Sequence, residues 1–170
     1  MANPTMTLIG SPVVVGSGGV SSVTFSSIPA TYTDLVVKSS IRATAATSGG
    51  FLTFNGSTSG YSEKLLYGDG SAAGSASNSG AGFVWTFLTV PSSYTANTFC
   101  SGEIYIPNYT SSNYKSVSSD VVQENNATAS AVYLDAGLWS NTAAISSITF
   151  TSGSNFAQYS TFYLYGISNT

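Results

Sequence analysis

The chain has 170 residues, of which 42% are hydrophobic, 13% aromatic and 6% charged, with 17 Gly, one Cys, no His and a net charge of −3. Its 32 Ser, 20 Thr and 11 Asn imply a polar but nearly uncharged surface, where soluble domains usually carry ~25% charged residues. This balance excludes a basic phosphate-binding footprint and ordinary His-dependent triads or zinc centres, while 11 Tyr, 9 Phe and 2 Trp are too many aromatics for a disordered chain.

Residues 1–19 end in Val15-Gly16-Ser17-Gly18-Gly19, which reads as a flexible joint behind an N-terminal arm reaching beyond the domain, with a candidate strand over 7–15. Thr7, Leu8, Ile9, Val13, Val14 and Val15 are its candidate partner-binding residues. The remainder, 20–170, reads as one β-sandwich domain. Its first strand, 20–28, places Val23 and Phe25 on one face and is stopped by Pro29. In 35–42, Leu35, Val37 and Ile41 alternate with Val36, Lys38, Ser40 and Arg42, the pattern of a half-buried strand. Further strands are predicted over 51–55 and 61–67. A long small-residue loop, 68–82, follows, of the kind often given to function.

The segment 82–90 is apolar on both faces, with Phe83, Trp85 and Phe87 against Val84, Leu88 and Val90, so it is the candidate interface strand. Val84 and Leu88 stand for it among the candidate contacts. The pattern then predicts strands over 98–106, 114–123, 131–139, 145–151 and 159–167. Between two of them, the turn 107–114 carries Tyr109 and Tyr114 as a candidate recognition tip. No 3.6-residue period persists. Short strands without intervening helices predict an all-β fold, a two-sheet antiparallel sandwich of jelly-roll-like type with a flexible N-terminal arm.

Catalytic chemistry finds little material. Cys100 has no partner for an intrachain disulfide and sits in an apolar alternation, where a buried structural thiol is expected. Glu63 and Asp69, or Glu103, Asp120 and Asp135, are the acids from which a glycosidase pair could be drawn, but Asp69-Gly70 reads as a turn and Glu63-Lys64 as a surface ion pair. No calcium loop or phosphate loop is present, so neither catalysis nor a cofactor or metal is expected. The N-terminus lacks a basic leader and no apolar run reaches membrane-spanning length, so a chain made in the cytoplasm, without membrane or nucleic-acid partners, is expected. With only Lys38, Arg42 and Lys115 available to blunt strand edges, self-association is expected, most simply as a homotrimer.

Four phrases carry a resemblance. They are Val23-Thr24-Phe25-Ser26-Ser27-Ile28-Pro29-Ala30-Thr31-Tyr32-Thr33-Asp34-Leu35, Leu52-Thr53-Phe54-Asn55-Gly56, Leu66-Tyr67-Gly68-Asp69-Gly70 and Ser160-Thr161-Phe162-Tyr163-Leu164-Tyr165-Gly166-Ile167. In this order, and with this charge-poor composition, the chain resembles small virion structural proteins of tailed bacteriophages over about residues 20–168. The resemblance implies a jelly-roll-like sandwich displayed on the particle. It implies a role there as a head decoration (cement) protein on the major capsid protein, or as a tail fibre or spike component. In the fibre role, Tyr61, Tyr94, Tyr109 or Tyr114 would stack on host glycans. It supplies no catalytic residues.

Overall fold

A computed structural model describes residues 5–46, 49–87, 89–127 and 130–168. The described residues form thirteen strands and no helix. In chain order these are β1 (Met6–Leu8), β2 (Val13–Val14), β3 (Val20–Phe25), β4 (Asp34–Ile41), β5 (Gly50–Phe54), β6 (Tyr61–Gly68) and β7 (Ala73–Ala81), then β8 (Val84–Phe87), β9 (Cys100–Ile106), β10 (Lys115–Gln123), β11 (Ala131–Trp139), β12 (Ile148–Phe156) and β13 (Thr161–Ile167). They make a two-sheet antiparallel sandwich. The large sheet has nine strands in the order β1-β13-β4-β9-β10-β11-β6-β7, with β2 also on β13, and the small sheet has four in the order β3-β12-β5-β8.

The core lies between the sheets and is built by alternation. In β10, Lys115, Val117, Ser119, Val121 and Gln123 are buried while the residues between them are exposed, the period-two signature of a strand with one wet face. Tyr61, Phe54 and Trp139 pack together, with Trp139 stacked at 6.1 Å from Tyr61 and tilted at 5.6 Å from Phe54. The Phe54 backbone N–H donates to the Tyr61 hydroxyl at 2.8 Å, so this tyrosine brings its polar end into the core already satisfied. Phe150, Phe156 and Phe162 form a second aromatic centre with ring separations of 5.0–5.4 Å about Phe162. Cys100 is buried as expected.

The N-terminal segment is where the structure departs first from the sequence reading. Residues 6–8 and 13–14 do not form an arm reaching away; they pair with β13 as an edge of the large sheet, and Val15 is buried. The glycine joint serves a different purpose, carrying the chain from the large sheet at β2 to the small sheet at β3. Gly18 and Gly19 have φ of +96° and +70°, and a Cβ on Gly19 would stand 2.5 Å from the Phe156 carbonyl oxygen, so only glycine makes this crossing.

The predicted loop over 68–82 is mostly strand. Asp69 closes a tight hairpin, its Oδ1 accepting from the backbone N–H groups of Ser71 and Ala72 at 2.9 and 2.8 Å, and β7 then returns along β6. Ser, Ala and Gly have weak strand preference, so this strand exists through its pairing and through the Tyr67 ring, which lies over Gly74 so closely that a Cβ there would meet it at 2.5 Å.

The basic residues also differ from expectation, since none of the three named as edge guards sits on an edge. Lys38 is on the central strand β4 in an ion pair with Glu103. Arg42 donates to the carbonyls of Ser92, Tyr94, Thr95 and Thr98 at 2.8–3.2 Å and holds the loop before β9. Lys115 is buried and donates to the carbonyls of Ser111 and Asn113 at 2.7 and 2.6 Å.

Candidate interaction surfaces

The turn 107–114 is held from beneath by Lys115, and its two tyrosines have opposite fates. Tyr109 is fully buried; its hydroxyl donates to the Pro29 carbonyl, and its own carbonyl accepts from the Ile145 N–H at 2.9 Å. It is a structural pin rather than a recognition residue, and burial holds its phenol above the usual range. Tyr61 is likewise in the core, which removes it as a stacking platform. Tyr94 packs partly buried against the core, while Tyr114, at 58% exposure, stands in solvent.

The candidate interface strand is corrected in a similar way. Val84 faces the other sheet and is buried over Gly137, where a Cβ would lie 2.6 Å from its Cγ1. Leu88 lies outside the described residues. The opposite side of β8 does present a surface: Phe51, Phe83 and Trp85 cluster with ring separations of 4.2–6.3 Å, and Trp85 is 44% exposed. Of the N-terminal candidates, Leu8 and Val14 are exposed, Thr7, Ile9 and Val13 are half-buried, and Val15 is inside.

The acids divide by face. Glu63 and Asp135 point between the sheets, Glu63 opposite Gly137 and Asp135 opposite Leu65, which makes them diagonal neighbours on β6 and β11. Glu63 is therefore not half of a surface pair with Lys64; it is buried, and its Oε2 accepts the Trp85 backbone N–H at 2.6 Å, tying β8 to the large sheet. Asp135 Oδ2 accepts from the Ser119 hydroxyl at 3.2 Å, and its Oδ1 is buried without a hydrogen-bond partner. Burial, reinforced by the nearby Glu63 charge, pushes the Asp135 carboxyl up to about 7, and burial also raises Glu63. Asp69 is committed to its hairpin, Glu103 to Lys38, and Asp120 faces outward.

One further surface is a feature that the sequence reading did not single out. On the outer face of the large sheet, Leu66 pairs across strands with Leu134, and Val122 with Val132. Their exposures are 58%, 54%, 45% and 55%, so four branched aliphatic side chains stand together in water. A shallow groove of about 650 Å³ runs beside them, lined by Lys64, Leu66, Ser75, Ser77, Ser118 and Leu134. The inverted pattern of β11 has a local cause: Trp139 must enter the aromatic core and Gly137 must receive Val84, and period two then sends Asp135 inward and Leu134 and Val132 outward.

Among the described residues no cluster of three or more His, Cys, Asp or Glu could hold a metal ion. Comparison of the chain with protein-family models, with curated proteins and with solved structures returned no match.

Proposed function

We propose that this chain is a virion structural protein of a tailed bacteriophage, a head decoration protein that sits on the outer capsid surface as an oligomer and stabilises contacts between capsomers. The observation that carries this reading is the unpartnered aliphatic patch of Leu66, Leu134, Val122 and Val132 on a surface otherwise dominated by hydroxyls. A contiguous apolar patch on a sheet face marks an interaction surface, and a subunit of an assembly buries it. The ordered phrases that resemble those of small phage virion proteins point the same way. With the N-terminal strands committed to their own sheet, attachment falls to the sheet faces rather than to an arm.

The same reading makes the protein non-catalytic. Its paired carboxyls, Glu63 and Asp135, are 5% and 4% exposed and each is already engaged, Glu63 by the Trp85 N–H and Asp135 by the Ser119 hydroxyl. A second reading, a tail fibre or spike component that binds host glycans, is favoured by the exposed rings of Tyr114 and Trp85, which are stacking surfaces of the right kind.

The test is to assemble particles with and without the chain and heat them while following genome release by dye fluorescence. A decoration protein delays release, and purified chain added back restores the delay. Unchanged release with impaired adsorption to cells would overturn the head reading in favour of the tail.

A further inference from the structure

The outer face of the large sheet is complementary to itself. In one cross-strand row lie Leu66, Leu134 and Asp120, on β6, β11 and β10; in the next lie Lys64, Ala136 and Ser118. Lys64 and Asp120 are both exposed, and neither has an ion-pair partner among the described residues. They stand two strands and one same-face step apart, about 12 Å from the spacings of a β-sheet. Their midpoint falls between Ala136 and Leu134.

We propose that this face is the contact between two copies of the chain, related by a twofold axis that lies in the face, passes through that midpoint and runs perpendicular to the line joining Lys64 and Asp120. The operation sets Lys64 of one copy against Asp120 of the other, twice. The same rotation brings Leu66 of each copy against Leu134 of its mate, so the exposed leucines and the unpaired charges are satisfied together. A contact of this kind is isologous: one patch serves both sides, and the assembly closes at two. The primary unit is then a dimer, in place of the trimer that composition alone led us to expect. The groove beside the leucines, lined mainly by leucine, alanine and serine with Lys64 and Asp135, takes aliphatic side chains of the second copy.

This inference deepens the reading of the chain as an assembly subunit and does not depend on the particle being a phage. Its test uses the isolated full-length chain, so its failure and that of the particle experiment are read separately. Sedimentation velocity over 1–100 µM (about two decades) is expected to show a monomer–dimer equilibrium. K64E sets a carboxylate against Asp120 of the other copy, and D120K sets an ammonium against Lys64. Each variant is expected to weaken dimerisation about tenfold or more through two like-charge contacts. Mixing the two variants, each mostly monomeric, restores a dimer, because every contact across the mixed pair is again between opposite charges. Both substituted positions lie on the solvent face, and far-UV circular dichroism verifies that both variants keep the fold. A wild-type chain that stays monomeric at 100 µM, a trimer, or a dimer indifferent to K64E, D120K and their mixture would each overturn the proposal. L134D, which puts a charge at the centre of the contact, gives an independent check: a dimer that survives it also overturns the proposal.

Discussion

Replacing Asp135 with Asn should change how the stability of the protein depends on pH. In the folded chain the carboxyl holds its proton to about pH 7, against an ordinary value of 3.8. Between those two values the native state keeps a proton that the unfolded state has released, so stability falls as pH rises from 3.8 to about 7 and is level above it. Each pH unit in that window is worth ~1.4 kcal/mol, so the unscreened effect approaches ~4 kcal/mol. The side chain is 4% exposed, and protein interiors answer a buried charge with an effective dielectric well above the dry value. Allowing for that response by half leaves about 2 kcal/mol. Glu63 adds a smaller slope of the same sign, because its carboxyl is also raised by burial. Asp69 acts in the opposite direction, since its hairpin hydrogen bonds lower its carboxyl, but D135N leaves that contribution intact in both proteins. Urea unfolding, followed through the fluorescence of buried Trp139, should be measured from pH 4 to pH 8. The wild type is expected to lose about 2 kcal/mol more than D135N between pH 4 and pH 7. Parallel stability profiles for the two proteins would refute the assignment of Asp135 as a buried, protonated carboxyl.

Three further outcomes follow from the packing. G166A places a Cβ 2.2 Å from the Tyr32 ring, and should cost about 1–3 kcal/mol in urea unfolding; a change under about 0.5 kcal/mol would contradict the close approach. Deleting residues 1–15 strips β1 and β2 from β13 and removes buried Val15, so the melting temperature should fall by roughly 5–10 °C, where removal of a free arm would leave it unchanged. The Cys100 thiol is 1% exposed and pushed up to about 12, so it should react with an aromatic disulfide reagent only on unfolding; rapid labelling of the native protein would show that the strand β9 opens.

The parts of the fold that were legible in the sequence are those where side-chain chemistry and environment agree. Leu35, Val37 and Ile41 are buried as their alternation with Lys38 and Ser40 predicts, while Val36, expected on the wet face, is buried too. The strand predicted ahead of Pro29 is present but stops earlier, at Phe25, and Cys100 sits in the core as a small apolar group. Where the reading failed, tertiary contacts decide. Ala73–Ala81 carries no strand signal of its own and becomes a strand because β6 and the Tyr67 ring are there to receive it. The Gly16-Ser17-Gly18-Gly19 run is locally indistinguishable from a hinge, and its role as a crossing between sheets depends on the Phe156 carbonyl beside Gly19. Tyr109 was read from its turn, yet the contact that buries it comes from Pro29, 80 residues away.

The candidate contact face was hidden for a related reason. Along Ala131–Trp139 both faces contain apolar residues, so alternation alone does not say which is buried. Asp135 would ordinarily be placed outside and Leu134 inside. Trp139 reverses this, because its ring belongs beside Phe54 and Tyr61, and a strand has only one register in which that is possible. The cost is a buried carboxyl and an exposed leucine. Both consequences of that register, the proton held by Asp135 and the aliphatic patch around Leu134, are open to the measurements above.

The central claim, that the chain is a capsid decoration protein, is tested most directly by its copy number in purified particles, measured by quantitative mass spectrometry against the major capsid protein. Head decoration predicts copies on the order of hundreds, because only a repeating shell offers so many equivalent sites. A handful of copies would contradict it and place the chain at the tail, and none at all would remove it from the virion.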